Sequence, residues 1–509
     1  MSAFAAITGA VAAEANHSPW PRYRVDAAAW LAAGEWLRDG TCALCGYWAE
    51  ADRVHLALSD PGMADLCVLS LDCPTGVFPS ISALFAPAGR LERTIGDLYG
   101  LRADGAPDTR PWLDHGCWPA TSRASGSDSG AATAESPPPY AFLPVEGESL
   151  HQIPVGPVHA GIIEPGHFRF TAGGETVVRL EARLGYVHKG IESLMAGAPL
   201  AKAARLAGRI SGDSTVTYAI AFARAVEAAS GAPVPDRAHW LRALMAELER
   251  IANHLGDIGA ICNDAAFARM LAPCAVLREL VLRTAKRCFG HRLMMDRVIP
   301  GGVAVDLQDE GKTAVRALVA KIRRRLPGLI ALYDNTTSLQ DRTVATGILR
   351  ADFARRFGCG GVIARASGRD VDARRRPGYP PYDQISFTVP VLEKGDVNAR
   401  VWVRIREVEQ SLSLITQMLA RMPQGPVATE VGADDPSGPR EGMALVEGFR
   451  GDVLVWVKLR PDGTVERCHP RDPSWFQWPL LEAAIEGNIV ADFPLCNKSF
   501  NCSYSGPDL

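Results

Sequence analysis

The sequence predicts an α+β fold with a small α/β domain at residues 1–120 and a large, mainly helical domain with flanking β-hairpins at residues 149–509. The chain has 509 residues, more than one hydrophobic core usually organises. A stretch rich in Ser, Gly, Ala and Pro begins at residue 121, and we predict a flexible linker over residues 121–148. Strand patterns dominate before this linker and long helical patterns after it, which predicts two different domain types.

Short strands and one amphipathic helix are predicted for the first domain. VHLALSD at 54–60 and LCVLSLDC at 66–73 are short β-rich runs typical of strands. GRLERTIGDLYGL at 89–101 places its apolar residues three to four positions apart, which predicts a helix.

The second domain begins with a predicted strand in ETVVRLEARLGYVH, residues 175–188. Long helical patterns follow at 239–270 and 275–298, and their high apolar content predicts a buried helix bundle. From about residue 443 the pattern predicts a β-hairpin, with its turn at residues 461–463, Pro-Asp-Gly.

Composition excludes several functional classes. Charged residues make up 22% of the chain and the formal net charge is −3, so the sequence does not predict nucleic-acid binding. No apolar stretch is long enough to span a membrane, so we expect any membrane connection to run through a partner subunit. Twelve scattered cysteines are typical of a reducing compartment. The sequence contains neither a GxGxxG nor a P-loop motif, so it does not predict nucleotide binding.

The first domain carries a recognisable motif in FPSISALFAPAGRLERTIGDLYGL, residues 78–101. This stretch resembles the signature of the thirty-kilodalton-type subunit of respiratory complex I and its hydrogenase relatives. That domain is a structural clamp without a cofactor. The resemblance therefore implies that Glu92, Arg93 and Asp97 are ion-paired packing residues.

The second domain resembles the partner of that subunit, the forty-nine-kilodalton-type or hydrogenase large subunit. Four segments match its pattern in order: 153–170, 183–195, 247–264 and 395–412. Both halves in one chain look like the large subunit of the formate-hydrogenlyase and energy-converting hydrogenase group. This resemblance implies an iron–sulfur small subunit and antiporter-like membrane subunits as partners. It also implies a cytoplasmic location, peripheral on the inner face of the cell membrane.

The segment RISGDSTVTY at 209–218 departs from the hydrogenase pattern. Nickel-iron hydrogenases carry R-x-C-G-x-C-x-x-x-H here, and the two cysteine positions correspond to Ser211 and Ser214. A thiolate is a soft ligand available near neutral pH, whereas a serine hydroxyl is hard and stays protonated. Near the C-terminus the chain keeps Cys496 and Cys502, but five residues separate them where the hydrogenase C-x-x-C pair has two, and no His follows. We therefore expect no metal at this site.

Complex I has lost the same metal, and its cavity forms the head of a quinone-binding chamber. In that family a loop His and a Tyr near the old cysteine site hydrogen-bond the quinone. The matching candidates are His159 in GPVHAG and Tyr218, although Ala160 stands where the family has Pro. A donor in a dry cavity would stabilise the charge on a reduced quinone oxygen and supply a proton.

Further ionisable residues lie near these motifs. Asp213 and Arg209 form a candidate pair that either relays protons and tunes a neighbouring iron–sulfur cluster or is a structural salt bridge. His254 resembles a family His near the cluster-bearing subunit, with a core histidine as the alternative. Glu164 and His167 lie where hydrogenases keep a proton-relay Glu and a His, and loop-shaping hydrogen bonds are the alternative.

Three functions are compatible with these motifs. The first is the large subunit of a membrane-associated complex I-like or hydrogenase-4-like oxidoreductase, without a nickel-iron site, with quinone-type electron transfer beside an iron–sulfur subunit. The second is a non-catalytic scaffold that couples such a complex. The third is an active nickel-iron hydrogenase, which the ligand count opposes. In the favoured interpretation the chain binds no cofactor itself except a quinone, and any NAD site belongs to another subunit.

Overall fold

A computed structural model describes residues 4, 12–116, 118, 140–160, 163–432 and 440–509. Most of the predicted linker, residues 121–139, lies outside the described residues. Residues 140–148 form neither helix nor strand. They lie against the second domain, where the Arg183 guanidinium is 4.4 Å from the ring centre of Tyr140. The proposed division of the chain over residues 121–148 stays a prediction.

The strands are β1 (His17–Ser18), β2 (Arg22–Arg24), β3 (Ala43–Ala49), β4 (Arg53–Ser59), β5 (Leu66–Asp72), β6 (Val77–Pro79), β7 (Arg102–Asp104), β8 (Leu150–Val155), β9 (His167–Gly173), β10 (Thr176–Arg183), β11 (Val298–Ile299), β12 (Gly302–Val303), β13 (Arg440–Glu447), β14 (Asp452–Leu459) and β15 (Val465–Arg471).

The α-helices are α1 (Ala27–Asp39), α2 (Gly89–Tyr99), α3 (Ile191–Met195), α4 (Leu200–Ala207), α5 (Thr215–Ser230), α6 (Asp236–Asp264), α7 (Leu271–Phe289), α8 (Asp309–Asp334), α9 (Thr337–Thr343), α10 (Ala351–Arg356), α11 (Gly361–Ala366), α12 (Val397–Arg421), α13 (Ser474–Ile485), α14 (Phe493–Phe500) and α15 (Ser505–Asp508). The predicted α+β fold is confirmed. Within the described residues, no helix is both long and apolar enough to cross a membrane.

The N-terminal domain is built on a four-stranded sheet in the order β2-β5-β4-β3. The predicted strands and helix correspond to β4, β5 and α2. Helix α2 ends at Gly100, which adopts the left-handed conformation that an L side chain rarely accepts. Its apolar stripe is buried, which explains the spacing seen in the sequence.

The expectation that three residues of α2 are all ion-paired is wrong for two of them. Arg93 does pair with Asp108, at 3.0 Å. The buried Glu92 instead accepts hydrogen bonds from the two backbone amides of Ile81 and Ser82, each at 3.0 Å, and from nearby serine hydroxyls. Asp97 accepts from backbone amides of the 112–114 segment. A carboxylate buried beside a turn is satisfied by local N–H donors without needing a cation.

The second domain surrounds helix α6, which is buried along most of its length. Helices α7 and α12 pack beside α6, and α5 covers the sheet β1-β13-β14-β15. The predicted hairpin is part of a three-stranded meander. Its turn near residues 461–463 is confirmed, but a second turn at residues 448–451 was missed; there Gly451 has a φ of 139°.

The two halves of the chain share one hydrophobic core. Strand β1 leaves the first domain and pairs in parallel with β13. Arg22 donates two hydrogen bonds to Glu441, at 2.8 and 2.7 Å, and the ring of Trp48 stacks on His469 at 5.2 Å. These contacts join residues more than 400 positions apart, so no local sequence pattern could predict them.

Candidate functional site

A cavity of about 390 Å³ with several charged and polar side chains in its wall lies where distant segments of the chain meet. Loop 209–214 precedes α5, loop 156–166 joins β8 to β9, and the third segment runs from α14 to α15. Charged groups from all parts of the second domain line the cavity, among them Glu164, Asp213, Asp264, Arg450 and Lys498. The expected juxtaposition of the serine segment with the His159 loop is therefore present.

An ion pair between Asp213 and Arg450 dominates the wall of this cavity. Both terminal nitrogens of Arg450 donate to the Asp213 carboxylate at 2.6 Å. Burial by itself would raise the pKa of Asp213, but the charge and hydrogen bonds of Arg450 hold it below the ordinary value. The hydroxyls of Ser211 and Ser214 donate to the same carboxylate at 3.0 and 3.3 Å. The serines therefore stabilise an ion pair.

The predicted pairing of Asp213 with Arg209 is wrong. Arg209 forms a bidentate ion pair with Asp296, and its side chain is 38% exposed on the opposite side of the loop. Arg450 replaces it because the β13–β14 turn, more than 200 residues away in sequence, projects into the cavity. The Arg209–Asp296 pair is a salt bridge at the protein surface.

Of the two C-terminal cysteines, only Cys502 lines the cavity. Cys502 and Ser505 both line the cavity, and their C-x-x-S spacing is the hydrogenase spacing with one serine. Cys496 lies instead against Gly347 and Arg400, on the other side of α14. Ser211 reaches the C-terminal segment through its Oγ atom, 3.0 Å from the Oγ atom of Ser503. The C-x-x-S spacing is present in the sequence, but a search for two cysteines selects Cys496 rather than Ser505.

This set of side chains does not fit nickel or a nickel-iron pair. Its positions offer three hydroxyls, from Ser211, Ser214 and Ser505, and one thiol, from Cys502. Hydroxyls are hard ligands that stay protonated near neutral pH, so a single sulfur among them is a poor match for a soft-ligand site. Among the described residues, no group of three or more His, Cys, Asp or Glu side chains is arranged to hold a metal ion.

His159 lies in the hairpin loop but does not itself line the cavity. Its Nε2 atom is 2.8 Å from the carbonyl oxygen of Gly166, which fixes the loop. Gly166 is packed so closely on Tyr504 that an added Cβ atom would lie 2.7 Å from the ring. The same loop brings Glu164 to the cavity, where the backbone amide of Ser505 lies 3.4 Å from its carboxylate.

The tyrosine that lines the cavity is Tyr504, not the predicted Tyr218. Tyr218 is completely buried and donates its hydroxyl proton to Asp472; burial and this carboxylate raise its pKa well above the ordinary value. Tyr504 lines the cavity, and its hydroxyl accepts a hydrogen bond from Asn497 at 3.2 Å. Sequence reasoning missed Tyr504 because only the segment containing Tyr218 was aligned with a family motif.

His254 is completely buried on α6, apart from the cavity. Its Nε2 atom is 2.7 Å from Glu407, and burial lowers the pKa of the imidazole. Glu407 also contacts Arg365 at 2.7 Å and Arg250 at 3.4 Å, so the histidine belongs to a buried ionic cluster. These contacts support the core-histidine alternative.

Glu249 lies behind the serine segment and should make the stability of the protein depend on pH. It is buried, accepts from the amides of Val216 and Thr217, and has a pKa raised by burial to about 7. The folded protein therefore binds a proton that the unfolded chain releases near pH 4.5, and stability must fall as pH rises from 4.5 through 7. Between about pH 5 and 8, the free energy of unfolding should fall by about 3 kcal/mol more in the wild type than in Glu249→Gln, as measured by urea unfolding. Equal losses would contradict the assignment.

Comparisons with known proteins agree with the two-part fold. The family described as respiratory-chain NADH dehydrogenase, 49 Kd subunit, matches residues 264–441. The family described as respiratory-chain NADH dehydrogenase, 30 Kd subunit, matches residues 23–124. A chain in the structure of the membrane-bound sulfane sulfur reductase, an archaeal respiratory membrane complex, superposes with a TM-score of 0.67 at 27% identity. That match covers 72% of the present chain and all of the other.

Curated relatives include proteins of both hydrogenases and NADH-quinone oxidoreductases. The carbon monoxide-induced hydrogenase of Rhodospirillum rubrum is 31% identical, over 69% of this chain and 98% of its own. Formate hydrogenlyase subunit 5 of Escherichia coli is 30% identical, over 86% of this chain and 78% of its own. The C/D subunit of the NADH-quinone oxidoreductase from Bacteroides fragilis is 26% identical, over 82% of each. The chain therefore belongs to the family of oxidoreductase-complex subunits that unites the large subunits of membrane-bound hydrogenases with the 30-kDa and 49-kDa subunits of NADH dehydrogenase, here fused in one polypeptide.

Proposed function

We propose that this chain is the large subunit of a membrane-associated oxidoreductase complex that lacks the nickel-iron site and transfers electrons to a quinone-type acceptor. The observation that carries the proposal is the cavity, in which hydroxyls and an ion pair stand where the relatives' motif has thiolates. A cavity of hydrogen-bond donors suits an acceptor whose oxygens gain charge and protons on reduction.

Two donors are available for the oxygen of such an acceptor. The Tyr504 hydroxyl accepts from Asn497, which leaves its own proton free to donate. Arg450 has five N–H groups; four of them bond to Asp213, Ser214 and the Asn501 carbonyl, which leaves one for a ligand. His159 would act by fixing the loop, and Tyr218 through Asp472.

The remaining partners follow from the family. An iron–sulfur small subunit would deliver electrons to the cavity, and antiporter-like membrane subunits would anchor the assembly at the cytoplasmic face of the cell membrane. Membership of relatives in membrane-bound complexes supports the membrane association of such an assembly.

Elemental analysis of the purified complex tests the loss of nickel. We expect no stoichiometric nickel, because one thiol among three hydroxyls is a poor ligand set for a soft-ligand site. Iron from the iron–sulfur partner in the same sample is the internal control. One nickel per large subunit would contradict the proposal.

Quinone reduction by the assembled complex tests the donors. We expect Tyr504→Phe to lower the rate about 100-fold by removing one preorganised donor. His159→Ala and Tyr218→Phe should lower it less, since both act through other groups. Tyr186→Phe is the matched control, because that residue is 39% exposed and lies outside the cavity. Unchanged rates in Tyr504→Phe and His159→Ala, with assembly intact, would favour the scaffold function.

A further inference from the structure

Positive charge is concentrated on two neighbouring helices far from the cavity residues in sequence. Helices α7 and α8 together carry ten Lys or Arg residues and only four Asp or Glu residues. The whole chain has a net charge of −3, so the rest of the protein is clearly acidic. Such an uneven distribution of charge affects what the protein surface binds, not how the chain folds.

The two helices pack against each other as antiparallel neighbours, with the end of α7 against the start of α8. The thiol of Cys288, near the end of α7, contacts the carbonyl oxygen of Gly311, near the start of α8, at 3.6 Å. We call this surface the basic face and define it by four exposed residues, Lys286 and Arg287 on α7 and Arg324 and Arg325 on α8.

The cations of the basic face lack carboxylate partners. Of the acids on these helices, Glu279 already binds Arg283 and Arg292, and Asp309 binds Lys312. No ion pair or hydrogen bond involves the side chains of the four defining residues within the described part of the chain. Their long side chains are therefore free to approach an anionic surface.

Exposed apolar side chains occur on the same pair of helices as these cations. Leu271 and Val276, on α7, are 39% and 49% exposed. Because α7 and α8 are antiparallel, this end of α7 lies near the arginine-rich half of α8. Apolar groups flanked by Lys and Arg are typical of surfaces that bind the headgroup region of a bilayer.

We infer that the basic face docks the chain onto the anionic phospholipid headgroups of a membrane. An acidic protein partner is less well supported, because the cations are divided between two helices and occur together with exposed apolar groups on α7. The chain also belongs to a family whose relatives are subunits of membrane-bound complexes. The inference does not depend on quinone chemistry in the cavity.

Vesicle co-sedimentation of the full chain tests this inference. The chain should sediment with mixed phosphatidylcholine–phosphatidylglycerol vesicles, stay in solution with pure phosphatidylcholine, and be released at about 0.5 M salt, where charge interactions are screened. Failure to bind the anionic vesicles, or equal binding to both kinds, would overturn it.

A charge-matched pair of variants locates the binding surface. Lys286→Gln/Arg287→Gln/Arg324→Gln/Arg325→Gln should weaken vesicle binding at least about tenfold. The control removes the same charge elsewhere: Lys202→Gln/Arg355→Gln/Arg356→Gln/Lys394→Gln, all at exposed positions, should bind like wild type. Equal weakening by both variants would refute the basic face. If the first variant keeps its vesicle binding but loses a partner protein from the purified complex, the occupant is a protein and the inference is wrong.

Discussion

Glu407→Gln is expected to lower the free energy of unfolding by about 3–5 kcal/mol, because it removes one partner from a buried ionic cluster. Glu407 is 1% exposed and bonds to His254 and Arg365 at 2.7 Å. Burial would raise the pKa of its carboxyl, but Arg365 and His254 hold that pKa well below the ordinary value. The neutral amide would leave the surrounding arginines short of compensating charge.

Glu409→Gln, two residues further along α12, is the matched control. Its carboxylate is exposed and pairs with Arg406 across one helical turn, so its loss should change stability by less than about 0.5 kcal/mol. Urea unfolding followed by circular dichroism compares the two variants. Similar stabilities would mean that the buried cluster is not a determinant of the bundle. The loss should become smaller as pH falls below about 4.5, because the unfolded wild-type chain then binds a proton at Glu407 that the folded protein does not.

Gly442→Ala should have the second large effect, a loss of about 3 kcal/mol or more from overpacking. Gly442 lies on β13 where α5 crosses the sheet, and an added Cβ atom would overlap the carbonyl oxygen of Ala225 and lie 2.6 Å from the amide nitrogen of Ala229. Both are backbone atoms of one helix and cannot rotate away. Helix α5, which begins just after the serine segment, would have to move away from the sheet.

Gly328→Ala is the control for this substitution. No atom lies within 4 Å of the position of its Cβ atom in α8, so alanine should stabilise the helix by up to about 1 kcal/mol. Thermal unfolding of the two variants gives the comparison. A destabilisation of equal size at both positions would show that the cost at Gly442 is not steric.

Much of the architecture was accessible from the sequence because its determinants are local. The apolar spacing of α2 and the β-rich runs of β4 and β5 appear within a few residues, and the Pro-Asp-Gly turn marks the end of β14. The replacement of thiols by hydroxyls at Ser211 and Ser214 is equally local, since ligand chemistry belongs to the side chain itself. These features led directly to the family.

The contents of the cavity could not be predicted in the same way. Asp213 was matched with its neighbour Arg209, but the peptide turn sends Arg209 to the surface and leaves the carboxylate to Arg450. The choice between Tyr218 and Tyr504 depends on which ring faces the cavity, which neighbouring sequence does not encode. The C-x-x-S spacing of Cys502 and Ser505 was visible, yet its meaning required knowing which side of α14 faces Ser211.

The sequence by itself determined the two subunit types, their order, the longest buried helices and several strands, and the serines that stand at the two positions of the first cysteine motif. Tertiary structure alone decided which charges meet, that β1 joins the sheet of the second domain, and where the exposed cations gather. The reason is physical: hydrophobic periodicity and ligand type are set over a few residues, whereas ion pairs and cavities form between side chains hundreds of positions apart. Those positions become neighbours only when the helices and sheets pack around a shared core.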